Sequence, residues 1–233
     1  MARLIAALIR HGDYHQLPDT PSAHQPFPLT VAGREQVSAA AGALRETITR
    51  NGWQLVPGID TSRMLRAWQT AVILAEQLDD LPPSAPRVES FDALAERGLG
   101  SAANLTQHQI SLVLQQDPRY PDLPAGWKAD SQYRLPLQGA ESLLEAGTRV
   151  ATHLQERMAA LGEPAGDCLK LFVGHGAAFR HAAHHLGVLP YEQLAQLSMY
   201  HGQPVFLESR PGKPWRHIGG EWKQRAPRGE ELD

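Results

Sequence analysis

Two apolar runs in this chain stop in the same way. Leu4-Ile5-Ala6-Ala7-Leu8-Ile9 leads into Arg10-His11-Gly12, and the run from Cys168 to Val173 leads into Gly174-His175-Gly176. Each run is of strand length and reads as a buried strand, the first spanning residues 3–9. A strand that ends in histidine and glycine aims an imidazole at one spot, and the glycine lets backbone and ligand approach closely. Helical stretches lie between such strands, and that alternation predicts an α/β layered fold with a largely parallel sheet. Reactive side chains are then expected at the carboxyl ends of the strands.

The intervening segments fit this plan. Residues 13–29 hold Pro18, Pro21, Pro26 and Pro28 and read as an irregular loop. Thr30 can cap a helix that continues through alanine-rich sequence to Arg50, although Gly33 stands where a capping box has Glu. Residues 54–60 read as a short strand ending at Asp60. From Arg63 to Leu78, Met64, Ala67, Ala71 and Leu74 share one helical face. Val88–Phe91 reads as a third strand. Residues 97–140, with Pro118, Pro121, Pro124 and Pro136, read as a partly irregular insertion with a short helix near 106–116. Helices are expected from about Ser142 to Leu161 and from Ala177 to Leu186, and a strand from Pro204 to Ser209. Trp215–Ile218 and Glu221–Lys223 read as a terminal hairpin about Gly219-Gly220, ahead of a polar Pro227–Asp233 end.

Composition narrows the function classes. With 233 residues, 42% of them hydrophobic, the chain can bury one sizeable core. Residues 1–233 are therefore expected to form a single domain with a lid insertion at about 97–140. A net charge of −3 argues against nucleic-acid or anionic-membrane partners. Cys168 is the only cysteine, so there is no disulfide framework or cysteine metal cluster, and a reducing cytoplasm fits. The N-terminal apolar stretch is too short for a secretion signal and lacks a cleavage site. No oligomeric state is assigned.

The candidate chemistry is phosphoryl transfer. Guanidinium groups bind phosphate oxygens bidentately without losing charge, and Arg10 and Arg66 are the best candidates. A neutral imidazole can attack phosphorus to give a phosphorylated histidine. Of His11 and His175, one would be the nucleophile and the other would steady the transferring group. The leaving oxygen needs a proton, and Glu96, in Leu94-Ala95-Glu96-Arg97-Gly98, has no helical reason for its place. Asp13 is a weaker competitor, and Glu141 reads as a cap of the following helix.

Three other features point elsewhere and are set aside. His181 and His185 lie one helical turn apart beside His184, but no H-E-x-x-H pattern or third ligand accompanies them, so a partly exposed helix face is expected. Gly174-His175-Gly176 lacks the third glycine of a dinucleotide loop, where Phe179 stands. Ser62 has no nucleophile elbow around it.

With these residues in place, the chain resembles the histidine phosphatase superfamily, the phosphoglycerate mutase-like proteins. Arg10-His11-Gly12 matches that family's signature, Leu29-Thr30-Val31-Ala32-Gly33 its Leu-Thr-x-x-Gly, and Ser62 through Ala71 its Ser-x-x-x-Arg-Ala-x-Gln-Thr-Ala. His175-Gly176 matches its late His-Gly. The resemblance implies an α/β/α sandwich with a mixed, mainly parallel sheet, and no metal or other cofactor. It implies that His11 is phosphorylated, that Arg10, Arg66, His175 and Gly176 form the phosphate pocket, and that Glu96 is the proton donor by position.

Departures from the pattern bear on substrate. Mutases of the family carry Glu and Asn soon after Arg-His-Gly, where this chain has Asp13, Tyr14 and a Pro-rich loop. They have Asn-Ser after the late His-Gly, where this chain has Ala177-Ala178. Fewer polar groups would hold a phosphorylated sugar acid in register, which favours a phosphatase over a phosphoglycerate mutase. A phosphorylated small molecule is the favoured substrate, with a phosphoprotein (phosphohistidine, or phosphoserine and phosphothreonine) as the alternative. A phosphate-binding module without turnover is the non-enzymatic reading. In the insertion, Arg119, Lys128 and Arg134 are candidates for a second anionic group, and Tyr120 and Trp127 for stacking or shaping the entrance. His15 is a candidate for substrate contact.

Overall fold

In the computed structural model, residues 2–21 and 24–225 are described. The first apolar run forms β1 (Leu4–Arg10), whose five central residues are all buried. Thr30 caps α1 (Val31–Asn51) by accepting the Gly33 N–H at 2.9 Å, and Gly52, at φ 64°, ends the helix. The absence of Glu at position 33 has a steric cause. A Cβ there would lie 1.9 Å from the Asp13 carbonyl oxygen, so the helix start can lie against the Arg-His-Gly turn only if this residue is glycine.

The strand expected over 54–60 is two pieces, β2 (Gln54–Leu55) and β3 (Gly58–Ser62), separated at Pro57, which has no N–H to donate. Then come α2 (Leu65–Gln77), β4 (Arg87–Phe91), α3 (Gln107–Gln115) and α4 (Leu143–Ala159). They are followed by β5 (Cys168–Gly174), α5 (Gly176–His185), β6 (Leu197–Met199), β7 (Pro204–Ser209), β8 (Arg216–Gly219) and β9 (Trp222–Gln224).

The main sheet has the order β4-β3-β5-β1-β7-β8, with β2 also paired to β5. Pairs among β1–β5 are parallel, while β7 is antiparallel to β1 and β8 to β7. Period-two alternation splits each central strand between two cores. Ile5, Ala7 and Ile9 join Val37, Leu44 and Leu74 of α1 and α2 on one face, and Ala6 and Leu8 join Val150, Leu154 and Phe179 of α4 and α5 on the other. The molecule is thus a three-layer α/β/α sandwich around a mixed, mainly parallel sheet. The 97–140 segment contains α3 and a small core of its own around Leu99, Ile110, Leu114 and Trp127.

The expected terminal hairpin does not form. β8 pairs with β7, and β9 pairs with the short β6, which periodicity alone did not reveal. Gly219-Gly220 does turn the chain, with Gly220 at φ 74°. Each strand finds a longer-range partner, and tertiary packing overrides the local hairpin signal. The polar 227–233 end lies outside the described residues. No helix among the described residues is long and apolar enough to cross a membrane.

Candidate active site

The sheet register places the two histidines side by side. β1 and β5 pair with Arg10 opposite Gly174, and the His11 N–H donates to the Gly174 carbonyl at 3.0 Å. His11 and His175 therefore leave adjacent strand ends together, with ring centroids 5.1 Å apart, and both are buried. Glycine makes the close approach possible: a Cβ on Gly12 would lie 2.6 Å from the Gly33 carbonyl oxygen.

Arg66, on the first turn of α2, is buried and forked between the two rings. Its Nε–H donates to His11 Nε2 at 3.1 Å, its Nη2 approaches His175 Nδ1 at 3.3 Å, and its Nη1 donates to the Gln25 carbonyl at 2.9 Å. These partners assign the tautomers. His11 Nδ1 lies 2.7 Å from the Gly12 carbonyl and carries the proton, which leaves Nε2 with its lone pair. His175 accepts at Nδ1 and donates from Nε2 to Ser62 Oγ at 2.9 Å. Burial, followed by the Arg66 guanidinium, holds both imidazoles well below the usual histidine range, so both are neutral. A neutral, hydrogen-bond-oriented Nε2 is the form an attacking imidazole needs.

The rest of the α2 motif organises the surroundings. Thr70 Oγ1 accepts the Gly12 N–H at 3.1 Å and donates to the Arg66 carbonyl, while Gln69 Oε1 accepts the Leu29 N–H at 2.8 Å. Arg10 Nη1 donates to the Met199 carbonyl at 3.1 Å, and its side chain lies against Gly176, where a Cβ would meet Arg10 Cδ at 3.1 Å. Gly176 is the first residue of α5, so its N–H has no acceptor within the helix. Glu96 reaches the same helix start: Oε1 accepts the Ala178 N–H at 3.1 Å and Oε2 the Ala177 N–H at 3.3 Å. The structure thus brings Arg10, His11, Arg66, His175 and Gly176 together, with Glu96 at the edge of the group.

Other expectations are corrected. Asp13 faces away from the chemistry, its Oδ2 accepting the Thr30 hydroxyl at 2.9 Å. Glu141 does not cap α4. Ser142 and Glu145 form that capping box, and Glu141 instead accepts the Gly98 N–H and pairs with Arg149. His181 is not on an exposed face: it is fully buried, with Nε2 2.9 Å from Ser131 Oγ and Nδ1 2.7 Å from the Ala177 carbonyl, while His184 is half-buried and His185 exposed. No three His, Cys, Asp or Glu groups among the described residues are placed to hold a metal ion. Trp127 belongs to the insertion core, with Arg97 over its ring. Arg119 pairs with Asp117 and Arg134 with Glu145, both on the surface; Tyr120 and Lys128 are half-buried. His15 is exposed and pairs through its backbone with Pro28.

Several neighbours were not singled out from the sequence. Tyr14 packs edge-on to His11 at 5.2 Å and lies under the Arg66 guanidinium at 4.3 Å. His201 Nδ1 lies 2.7 Å from the His11 carbonyl, and Gln25 is buried over Arg66. Only the proline-rich character of 13–29 hinted that this loop is part of the site.

The sequence profile of the histidine phosphatase superfamily (branch 1) matches residues 6–217. Among curated proteins, none matches. Among solved structures, a protein titled mycobacterial hydrolase 1 is 23% identical with a TM-score of 0.69, the match covering 94% of this chain and 97% of that one. Mycobacterial glucosyl-3-phosphoglycerate phosphatase, solved with VO3, is 25% identical with a TM-score of 0.66, covering 94% of this chain and 98% of that one. A candidate alpha-ribazole-5'-P phosphatase from Escherichia coli is 18% identical with a TM-score of 0.64, covering 97% and 96%.

Proposed function

Because this chain belongs to the histidine phosphatase superfamily, we propose that it is a metal-independent phosphatase that hydrolyses small phosphomonoesters through a phosphohistidine on His11. The observation that carries this reading is the Arg66 fork between two buried, neutral histidines. Arg66 and Arg10 bind the phosphoryl oxygens, and Arg66 exchanges its bond to His11 Nε2 for one to the incoming phosphate. The freed lone pair attacks phosphorus as the ester P–O bond breaks. Glu96 gives its proton to the leaving oxygen, and water then releases phosphate from His11. His175 and the Gly176 N–H steady the transferring group.

Two observations favour a small substrate and hydrolysis. Loop 13–29 and the 97–140 insertion are joined where the Gln107 N–H donates to the Asp19 carbonyl at 3.1 Å, and the same loop holds Arg66 through Gln25. Tied in this way, the insertion acts as a lid over a metabolite and not as the open approach that a protein surface needs. Ala177 and Ala178 offer no side-chain polar groups to retain a phosphorylated intermediate, as a mutase must. Relatives of the same fold named for a glucosyl-3-phosphoglycerate and an alpha-ribazole-5'-P substrate agree with a metabolite.

The test is phosphate release from phenyl phosphate and from parallel panels of phosphorylated metabolites and phosphopeptides. The wild type is expected to turn over metabolites and to carry an acid-labile phosphate on His11 during turnover. His11→Ala is expected to lose at least about 10³-fold in kcat while remaining folded. Retained turnover in that variant overturns the mechanism, and preference for phosphopeptides overturns the substrate class.

A further inference from the structure

We propose that Arg149 and Glu141 are positioning residues for Glu96, and that together they govern protonation of the leaving group rather than attack at phosphorus. This rests on the reading of Glu96 as proton donor. Glu96 is on a non-helical segment, with neither a helix nor a strand of its own to hold it in place. Its carboxyl accepts the Arg97, Ala177 and Ala178 N–H groups, and the backbone that carries it is anchored from outside. Arg149, on α4, donates from Nη1 to the Ala95 carbonyl at 3.1 Å and the Ala93 carbonyl at 2.9 Å. The same guanidinium makes a two-pronged pair with Glu141 at 2.9 and 2.7 Å. Glu141 Oε2 accepts the Gly98 N–H at 3.0 Å, and the Glu141 N–H donates to the Gly98 carbonyl at 2.8 Å.

One ion pair therefore grips the chain on both sides of Glu96, at Ala95 and at Gly98. It is part-buried, and although burial raises the Glu141 carboxyl, the bonds from Arg149 and Gly98 outweigh this and hold it below the usual carboxylate range. The fork needs a planar guanidinium: the ammonium of lysine cannot serve two carbonyls and both carboxylate oxygens. A proton donor displaced by about 1 Å loses much of its effect, while His11, Arg10 and Arg66 sit on other elements and keep their geometry.

In the reaction, the Glu96 proton passes to the ester oxygen as the P–O bond breaks and the His11 Nε2–P bond forms. Phenyl phosphate needs that proton; 2,4-dinitrophenyl phosphate does not, because its phenolate leaves as a stable anion. The experiment measures kcat for both substrates in the wild type, Glu96→Gln, Glu141→Gln, Arg149→Lys and the Glu96→Gln/Glu141→Gln pair, with thermal melts of each. Glu141→Gln and Arg149→Lys are expected to lose about tenfold on phenyl phosphate and less than about twofold on the dinitrophenyl ester. On the Glu96→Gln background, Glu141→Gln is expected to add no further loss. Equal losses on both substrates, additive losses, or no loss overturn the proposal; if Glu141→Gln fails to fold, Arg149→Lys decides it. If Glu96→Gln itself affects both substrates alike, the proton-donor reading fails instead, and the two failures are told apart.

Discussion

Strand β3 carries two buried polar side chains two residues apart on one face, Asp60 and Ser62, and they belong to opposite kinds of cluster. Two cations and an imidazole converge on Asp60: Lys170 Nζ at 2.7 Å, Arg157 Nε at 2.7 Å and His153 Nε2 at 2.9 Å. Burial raises the Asp60 carboxyl, but the bonds from His153 and Arg157 and the Lys170 charge outweigh it and hold it low. Around Ser62 the order is reversed. Ser62 holds His175, and the Arg66 guanidinium is turned on two neutral imidazoles and a carbonyl. With Glu89, which pairs with Arg157 at 3.0 Å, the first cluster closes a charge balance inside the protein, two carboxylates against Lys170 and Arg157. The second presents cationic donors and neutral bases at the strand ends, where an anion can be received. A buried charge thus marks a functional site by what it faces, more than by its burial.

The two clusters should respond oppositely to mutation. Asp60→Asn leaves Lys170 buried without its carboxylate and is expected to cost about 3–5 kcal/mol in urea unfolding, with kcat of the folded protein unchanged. A loss under about 1 kcal/mol would break the contrast. Arg66→Met is expected to lower kcat/KM about 10²–10³-fold, the effect of removing a charged donor from a transferring group. Its unfolding free energy should shift far less than that of Asp60→Asn, because the desolvation cost of the guanidinium is removed along with its bonds.

Acid separates the clusters more gently. His11 and His175 are held well below 6.5, and His181 is pushed down to about 3, chiefly by burial. Between about pH 6.5 and their folded values the unfolded chain binds protons that the native chain does not. Stability should therefore fall as the pH is lowered through this window, by about 1.4 kcal/mol per unit for each such histidine. Asp60, whose folded value is lowered, contributes stability that is lost only below about pH 4. Urea titrations from pH 7 to 3.5 test this: His181→Gln should lose about one histidine's share of the upper slope, and a flat profile above pH 4.5 would contradict it.

Most of the strands, the capping threonine and Arg10, the arginine proposed to hold phosphate beside His11, were legible in the chain because each leaves a local mark: an apolar run, a cap residue, a glycine where a side chain would clash. Glu141 was misread as a cap because Ser142 and Glu145 beside it make the better one, freeing Glu141 for Gly98 and Arg149. Trp127 is a candidate for stacking or shaping the entrance by sequence alone, but the insertion uses it in its own core. His181 was misjudged because helical spacing says nothing of Ser131, which reaches it from the insertion.

By itself the sequence determined the alternating layers and the delivery of Arg10, His11 and His175 to strand ends, since burial of apolar runs and glycine-permitted turns are properties of neighbouring residues. Only the tertiary structure decided that Arg66 forks between the two rings, which nitrogen of each carries its proton, and which segment holds Glu96 in reach. It also decided the partners of β8 and β9. The fork and the hold on Glu96 depend on contacts between residues at least 41 positions apart, such as Arg66 with Gln25 and Arg149 with Ala95, and such contacts exist only once the sheet register has been set.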